Sequence, residues 1–485
     1  MTITGISEER AQAADPRRWV ALAVLLAAAF MDAVDVTVVH IAIPNLVQDL
    51  GATSAQVQWI TGGYALAFAL GLITGGRLGD MFGRKRVFML GVAAFTLTSL
   101  VCGIASGPEM LLIGRILQGA SAAIMVPQVL STVHVTFPEN ERSKVFGVYG
   151  VVLGLGTVAG PLVGAALVEA NLFDLHWRPI FLVNLPLGIL GLIAAAFVVY
   201  ESRSEQATRL DLPGVALVTT GLFLLMLPLT QGRELDWPAW SIAMLIAAVP
   251  VLALFVRYEA RLARRGGRPL VPPSLFRART FSAGLAVQLC FGLTSGIFFL
   301  AWTLYLQMGL GWSPLKAGLS GIPLSLALMV GAAVSTQVLV PRFGRTVLQI
   351  GGVISAGGAL LYHALVAPDG TGMTVAQNAI PITLMGIGFG LIIAPLADLT
   401  LSTVPHESAG SASGLFNTVA QLGSALGIGI SSLVFFGRLD SGHSMPEAFG
   451  YSLWYVAAGF AIAVAALFAL PRALRPDPAA TTAAG

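Results

Sequence analysis

Charge is what this sequence has least of. Only 11% of its 485 residues are Asp, Glu, Lys or Arg, where a soluble domain carries about 25%, while 56% are hydrophobic and the mean hydropathy is +0.82. Too few charges exist to solvate the surface of a globule of this length, which excludes a soluble protein and makes lipid the solvent for most of the chain. Cysteine is almost missing. Cys102 and Cys290 both fall in apolar runs, so no disulfide framework shapes the fold. Lysine is rare too: Lys85, Lys144 and Lys316 follow Arg84, Ser143 and Leu315, so no phosphate loop ending in Gly-Lys-Ser/Thr is present to drive an ATP-powered pump. The six histidines, at 40, 134, 176, 363, 406 and 443, are scattered, and neither a His-Glu-x-x-His zinc motif nor a Gly-x-Ser-x-Gly elbow occurs. An enzyme, a metal centre and a bound cofactor are therefore not expected. The isoelectric point near 9.0 does not signal nucleic acid, because the basic residues sit in short segments between apolar runs, where they set topology.

What is there is a succession of fourteen apolar runs, at about 19–44, 57–78, 87–106, 108–135, 145–170, 180–200, 212–230, 240–256, 281–308, 315–340, 347–367, 379–403, 410–437 and 451–470. A helix of such length crosses a hydrocarbon core about 30 Å thick at about 1.5 Å per residue. The polar segment 1–18 is short and the run after it is too long for a cleaved signal, so a first spanning helix is expected rather than a removed leader. With the N-terminus inside, 22 of the 27 Lys and Arg lie on the cytoplasmic side; Arg178, Arg233, Lys316 and Arg438 lie outside, and Arg115 falls within a run. That bias predicts a multi-pass protein of a bacterial-type inner membrane with both termini cytoplasmic.

The chain also repeats itself. A shift of 267 residues lays Pro138 on Pro405, Gly147 on Gly414, Gly156 on Gly423 and Gly160 on Gly427, and Phe82-Gly83-Arg84 recurs 261 residues on as Phe343-Gly344-Arg345. Matches at corresponding run boundaries point to a duplication. The expected organisation is a cytoplasmic tail at 1–18, six-helix bundles at 19–200 and 281–470, an inserted two-helix hairpin with a cytoplasmic linker at 201–280, and a disordered tail at 471–485. The basic part of the linker, Arg257–Thr280, is expected to touch anionic lipid.

Two acids stand out. Asp32 and Asp35 interrupt the first apolar run, where one Asp near the centre of a spanning helix costs roughly 2.5–3.5 kcal/mol. Spaced i, i+3, they share a helix face. A hydrogen-bonded acid that only fixes packing is the plainer reading, but ionisable groups inside membranes mark ion or substrate paths more often. Arg115 lies eight residues into the fourth run, roughly 12 Å deep, and Asp35 lies nine residues before Pro44, roughly 13 Å deep, so the two match in depth. Gly156, Gly160 and Gly164 recur every four residues beside Pro161, a small-residue stripe that lets another helix approach closely next to a bend.

These stretches carry a resemblance. Gly75 to Arg86, GGRLGDMFGRKR, resembles the loop signature between helices 2 and 3 of the major facilitator superfamily, matched at Gly76, Leu78, Asp80, Gly83, Arg84 and Lys85. LLIGRILQGASAA at 111–123 is similar to that family's helix 4 motif, with Arg115, Gln118 and Gly119 at its marked positions, and GTVAGPLVG at 156–164 to the antiporter motif of helix 5, with Ala165 where a final Gly is usual. DVTVVHIAIP at 35–44 resembles the first-helix pattern of the drug:proton antiporters with fourteen spans, with His40 in place of Asn. Family-like features run from the first span to Gly427, HWRPIFLVNLP at 176–186 among them. The Glu-x-x-Glu-Arg pattern of fourteen-span peptide symporters is missing.

The resemblance implies an all-α polytopic fold of two six-helix bundles plus two inserted helices, and the function expected is export of small lipophilic compounds in exchange for protons by alternating access. Proton-coupled symport or uniport of a metabolite is the alternative, and a non-transporting membrane sensor a weaker one. Asp35, Asp32 and Arg115 are the expected proton-coupling residues. Gly76, Asp80, Gly83, Arg84 and Lys85 would form a cytoplasmic gate; Asp80 can face helix N-termini or the basic cluster. Gly156, Gly160, Pro161 and Gly164 would form the antiporter seam, and Gln118 and Asp398 would line the substrate cavity. The expected partners are a small-molecule substrate, protons and membrane lipid, with no nucleic acid, and the expected state is a monomer.

Overall fold

The computed structural model describes residues 17–171, 174–203, 210–232, 235, 237–267, 269–366 and 373–469. The expected tails fall outside these residues except for Arg17 and Arg18. In lipid every backbone N–H and C=O must be paired within its own segment, which leaves the helix as the solution for single apolar runs. Among the described residues, fourteen helices are long and apolar enough to span: α1 (Arg17–Leu50), α2 (Ser54–Phe82), α3 (Arg84–Gly103), α4 (Pro108–Thr136), α5 (Glu139–Ala170), α6 (Pro179–Val198), α7 (Leu212–Gln231), α8 (Ala239–Arg264), α9 (Arg279–Leu304), α10 (Lys316–Phe343), α11 (Thr346–Val366), α12 (Val375–Ser402), α13 (Ala409–Asp440) and α14 (Met445–Leu467). Among the described residues there is no strand.

Local sequence explains most ends. Thr53, Thr374 and Ser444 open α2, α12 and α14 with capping boxes completed by Gln56, Gln377 and Glu447, each satisfying two otherwise orphaned N–H groups. Pro108 stands in the first turn of α4, where its missing N–H costs nothing. Gly83 separates α2 from α3 at φ 102°, a conformation that excludes most other residues. Two features differ from the hydropathy reading. Helix α1 does not stop at position 44 but runs to Leu50, so Asp35 lies nearer its middle. Beyond α9 at Tyr305–Gly309, and within α10 at Ser335–Leu339, the chain widens into π-turns, which hydropathy cannot show.

The chain forms two compact units. The first comprises Met1–Glu139, Gly156–Pro273 and Val404–Gln421, and the second Asn140–Leu155, Ser274–Thr403 and Leu422–Gly485. Each thus takes a stretch from the other half of the sequence, and the 267-residue shift carries Asn140–Leu155 onto 407–422, which overlaps Val404–Gln421. The repeated glycines make matching contacts. In the first unit, Gly156 and Gly160 of α5 lie against Ala33 and Thr37 of α1, and Gly414 of α13 lies on the backbone of Leu72 in α2. In the second, Gly423 and Gly427 of α13 lie on the backbone of Leu289 and Leu293 in α9, and Gly147 of α5 lies on Thr336 of α10. A side chain at any of these positions would separate the helices.

The hairpin α7–α8 belongs to the first unit and is tied where α7 begins and α8 ends. Asp211 caps α7 by accepting from Gly214 N at 3.0 Å and also accepts from the Tyr258 hydroxyl at 2.9 Å, while Glu259 accepts from Val271 N at 2.8 Å. Leu270 and Val271 of the linker are buried with Ile73, Val218 and Leu222. In the second unit, the indole of Trp302 donates at 3.1 Å to both Tyr362 and Asn378, and Tyr362 donates to Asn378, beside the packed rings of Phe298, Phe389 and Phe460.

Candidate functional site

Asp35 is the centre of a polar cage inside the first unit. Its carboxylate is fully buried (0% exposed) and accepts three hydrogen bonds: Oδ2 from Arg115 Nη1 at 2.5 Å, and Oδ1 from Gln118 Nε2 at 2.9 Å and Asn184 Nδ2 at 2.8 Å. Helix periodicity accounts for the convergence. Arg115 and Gln118 are three residues apart on α4 and so share its face. Asn184 opens the longer part of α6, after the short turn Pro179–Leu182. Behind these donors, Ser99 of α3 accepts from Gln118 at 2.8 Å and from Asn184 at 3.3 Å. Arg115 also donates to Gln118 Oε1 at 2.7 Å and to Ile60 O at 3.2 Å, and its guanidinium stacks 4.3 Å above the Tyr64 ring.

A buried ion pair survives only if its geometry is good and its remaining polar atoms are satisfied; removing one partner then costs about 3–5 kcal/mol. Here the partners supply both conditions. All three groups that touch Asp35 are N–H donors, the pattern that suits a carboxylate rather than a carboxylic acid. The cage therefore holds one negative charge, deep among apolar helices, against one positive charge.

Asp32 stands apart from this cage. It is half-buried on α1 and accepts from the hydroxyl of Tyr64, which is itself 1% exposed. Gln118, expected at the substrate cavity, is fully buried and joins Asp35, Arg115 and Ser99 instead. Asp398 is half-buried on α12 in the second unit. In the first unit, Gly156 and Gly160 set α5 against α1, one helix face away from the two acids; Pro161 lies inside α5 and Gly164 is buried there. The side chain of His40 lies outside the described residues.

A second polar cluster joins the end of α2 to the first turn of α13. Asp80 is fully buried and accepts from Arg84 Nη2 at 2.8 Å, from Gly410 N and Ser411 N at 3.0 Å each, and from Ser411 Oγ at 3.4 Å. Those two amides belong to the first turn of α13, so Asp80 satisfies orphan donors at the positive end of a helix dipole. Gly76 and Gly410 meet backbone to backbone, which no larger residue would allow. Arg84 donates further to His406 O at 2.7 Å, Lys85 donates to Ala196 O at 2.7 Å, and Gly83 lies against the Glu201 carboxylate. Two of the histidines that look scattered in sequence meet here: the rings of His134 and His406 are 5.4 Å apart, and His134 Nε2 is 2.9 Å from Val404 O.

Asp35, Arg115 and Gln118 were singled out in the sequence, Gln118 for the substrate cavity, whereas Ser99, Tyr64 and Asn184 were not. Asn184 had a signal, since an amide in the apolar stretch FLVNLP needs partners. Ser99 and Tyr64 are ordinary in spanning helices and gave none.

A caged carboxylate inside a multi-helix apolar bundle is a feature suited to a membrane transporter. The chain belongs to the Major Facilitator Superfamily, whose family model matches residues 25–428. It is 43% identical over 425 residues to the probable actinorhodin transporter of Streptomyces coelicolor, covering 88% of this chain and 74% of that protein. It is 34% identical over 441 residues to the tetracenomycin C resistance and export protein of Streptomyces glaucescens (90% and 79% covered). To the cephamycin export protein of Amycolatopsis lactamdurans it is 36% identical over 465 residues (94% and 93%). Among solved structures, the human organic anion transporter MFSD10 superposes with a TM-score of 0.64 at 16% identity, covering 93% of this chain and all of that one, a likeness of fold.

Proposed function

We propose that this transporter exports small lipophilic compounds of the antibiotic class in exchange for protons, by alternating access, with Asp35 as the proton carrier. The observation that carries the reading is the Asp35 cage: a single carboxylate, fully buried and held by Arg115, Gln118 and Asn184. Protonation would remove its charge and turn one of its acceptors into a donor, so Arg115 would lose its counterion and the cage would have to rearrange. That is the two-state element coupling needs. Relatives named for export of actinorhodin, tetracenomycin C and cephamycin support the cargo class. One charge moved across 100 mV yields about 2.3 kcal/mol, enough for roughly fifty-fold accumulation.

In the same reading the Asp80 cluster is the cytoplasmic latch, the glycine stripe of α5 is a seam along which α1 moves, and Asp398 contacts cargo. Both termini are cytoplasmic in a bacterial-type inner membrane, and the monomer is the working unit. Arg257, Arg261, Arg264 and Arg265 are all exposed, which supports contact between the cytoplasmic end of α8 and anionic lipid. The test is transport in inverted vesicles with an imposed pH gradient, over a panel of actinorhodin, tetracenomycin C, puromycin, cephamycin and lincomycin. Uptake of at least one compound that collapses with the gradient is expected; uptake that ignores the gradient and requires ATP would overturn the reading.

A further inference from the structure

We propose that Tyr64 is the residue through which Asp32 acts on the Asp35 cage, as a positioning residue that bolts α1 onto α2 and α4 while Asp32 is ionised. The inference rests on the proton-coupled reading of Asp35 and adds a component to it. Asp32 and Asp35 are one turn apart on α1, yet they bind different things. Asp35 is held by α4 and α6, whereas Asp32 accepts from the hydroxyl of Tyr64 on α2. Tyr64 is in turn fixed to α4 in two ways. Gly119 brings the α4 backbone onto the backbone of Tyr64, and the Arg115 guanidinium, one turn earlier on α4, stacks 4.3 Å above the Tyr64 ring. Tyr64 and Arg115 therefore form one rigid piece. Helix α1 is fastened to that piece by two carboxylates, the inner one sealed at 0% exposure and the outer one half-buried.

The order of events follows from access. A proton from water reaches the half-buried Asp32 before it reaches Asp35. Once it resides on Asp32, the carboxyl is a far weaker acceptor, the Tyr64 hydroxyl loses its charge-assisted bond, and one bolt opens. Helix α1 can then shift from α4 far enough for Asp35 to exchange its own proton. Among the described residues, the titratable groups that face this junction are Asp32 and Asp35 on α1, Tyr64 on α2, Cys102 on α3 and Arg115 on α4; α6 contributes the amide of Asn184, and α5 faces α1 with glycines.

Cys102 is a built-in reporter. It is fully buried, its Sγ lies 3.8 Å from Gln118 Oε1, and it packs in the same core as Val34 and Val38 of α1, so a reagent reaches it when α1 moves away. In full-length protein carrying Cys290→Ser, the rate of N-ethylmaleimide labelling of Cys102 is measured from about pH 9 to about pH 5, and each variant's rate is divided by that of the Cys290→Ser parent at the same pH, which cancels the thiol's own ionisation. For Tyr64→Phe, which keeps the ring under Arg115 and deletes only the hydroxyl, the ratio should be about tenfold where Asp32 is ionised and fall towards one as Asp32 is protonated. Asp32→Asn should give the same pH-dependent ratio from the other side of the bond, and the double variant no more than either single. A merely structural hydroxyl would give a ratio constant in pH, which overturns the proposal while leaving proton coupling at Asp35 standing. If Tyr64→Phe does not fold, the Asp32→Asn profile alone decides between the two outcomes. If Asp32→Asn and Asp35→Asn both leave the pH profile of labelling that of the parent, neither acid titrates and the carrier reading falls with the inference.

Discussion

At the scale of single residues, one carboxylate, that of Asp35, holds three N–H donors. Gln118 ties three members of the cage together, since it touches Arg115, Asp35 and Ser99 at once. Gln118→Leu takes an acceptor from Arg115 and a donor from both Asp35 and Ser99, and each buried group left unpaired costs about 1–3 kcal/mol, so gradient-driven transport should fall by roughly tenfold or more. Ser99→Ala removes only a shared acceptor of two amides that both still donate to Asp35, and it should cost distinctly less. Equal losses in a vesicle uptake assay would contradict this ranking. The residues that sequence reading missed explain why. An Asp in an apolar run announces itself by its cost, whereas Ser99, Tyr64 and Asn184 come to the two acids only through helix rotation and packing, which one-dimensional hydropathy does not encode.

Among elements, the contacts of α1 with α5 and of α2 with α13 make two separate claims. Gly160 of α5 lies so close to α1 that a Cβ would strike Thr37 Oγ1 and the Val34 carbonyl. Gly160→Ala should therefore lower thermal stability in detergent by about 1–3 kcal/mol, and Thr37→Ala should restore part of the loss; no restoration would mean that the stripe does not face α1. Asp80 binds the first turn of α13 as well as Arg84. Asp80→Asn removes the charge from four hydrogen bonds, so turnover should slow roughly tenfold with substrate binding intact, as read by uptake and equilibrium binding side by side. Native turnover in that variant would reduce Asp80 to a topology marker. Element boundaries were legible where apolar runs met caps and turns, as at Thr53, Gly83 and Pro108. They were less so at α1, which continues six residues past position 44, and at the π-turns beyond α9 and within α10.

For the molecule as a whole, the fourteen spans and the family were readable because lipid demands long apolar helices and because the loop at 75–86 and the stripe at 156–164 are specific stretches. The repeat was readable as matched glycines, one matched proline and a recurring Phe-Gly-Arg. Their meaning lies in three dimensions, where Gly156 and Gly160 contact α1 while their counterparts Gly423 and Gly427 contact α9. The polar cluster of Trp302, Tyr362 and Asn378 in the second unit was not foreseen, because its members are uncharged and 76 residues apart at the extremes. The central claim about the working molecule is that Asp35 gives up a proton when cargo binds. Its most direct test is proton release in weakly buffered detergent solution on adding a compound that the vesicle panel shows to be transported. The native protein and Asp32→Asn should both release protons, Asp32→Asn with a shifted pH dependence, and Asp35→Asn should bind the compound without release, its fold checked by a single symmetric peak in size-exclusion chromatography. Undiminished release from a folded Asp35→Asn variant would contradict the account.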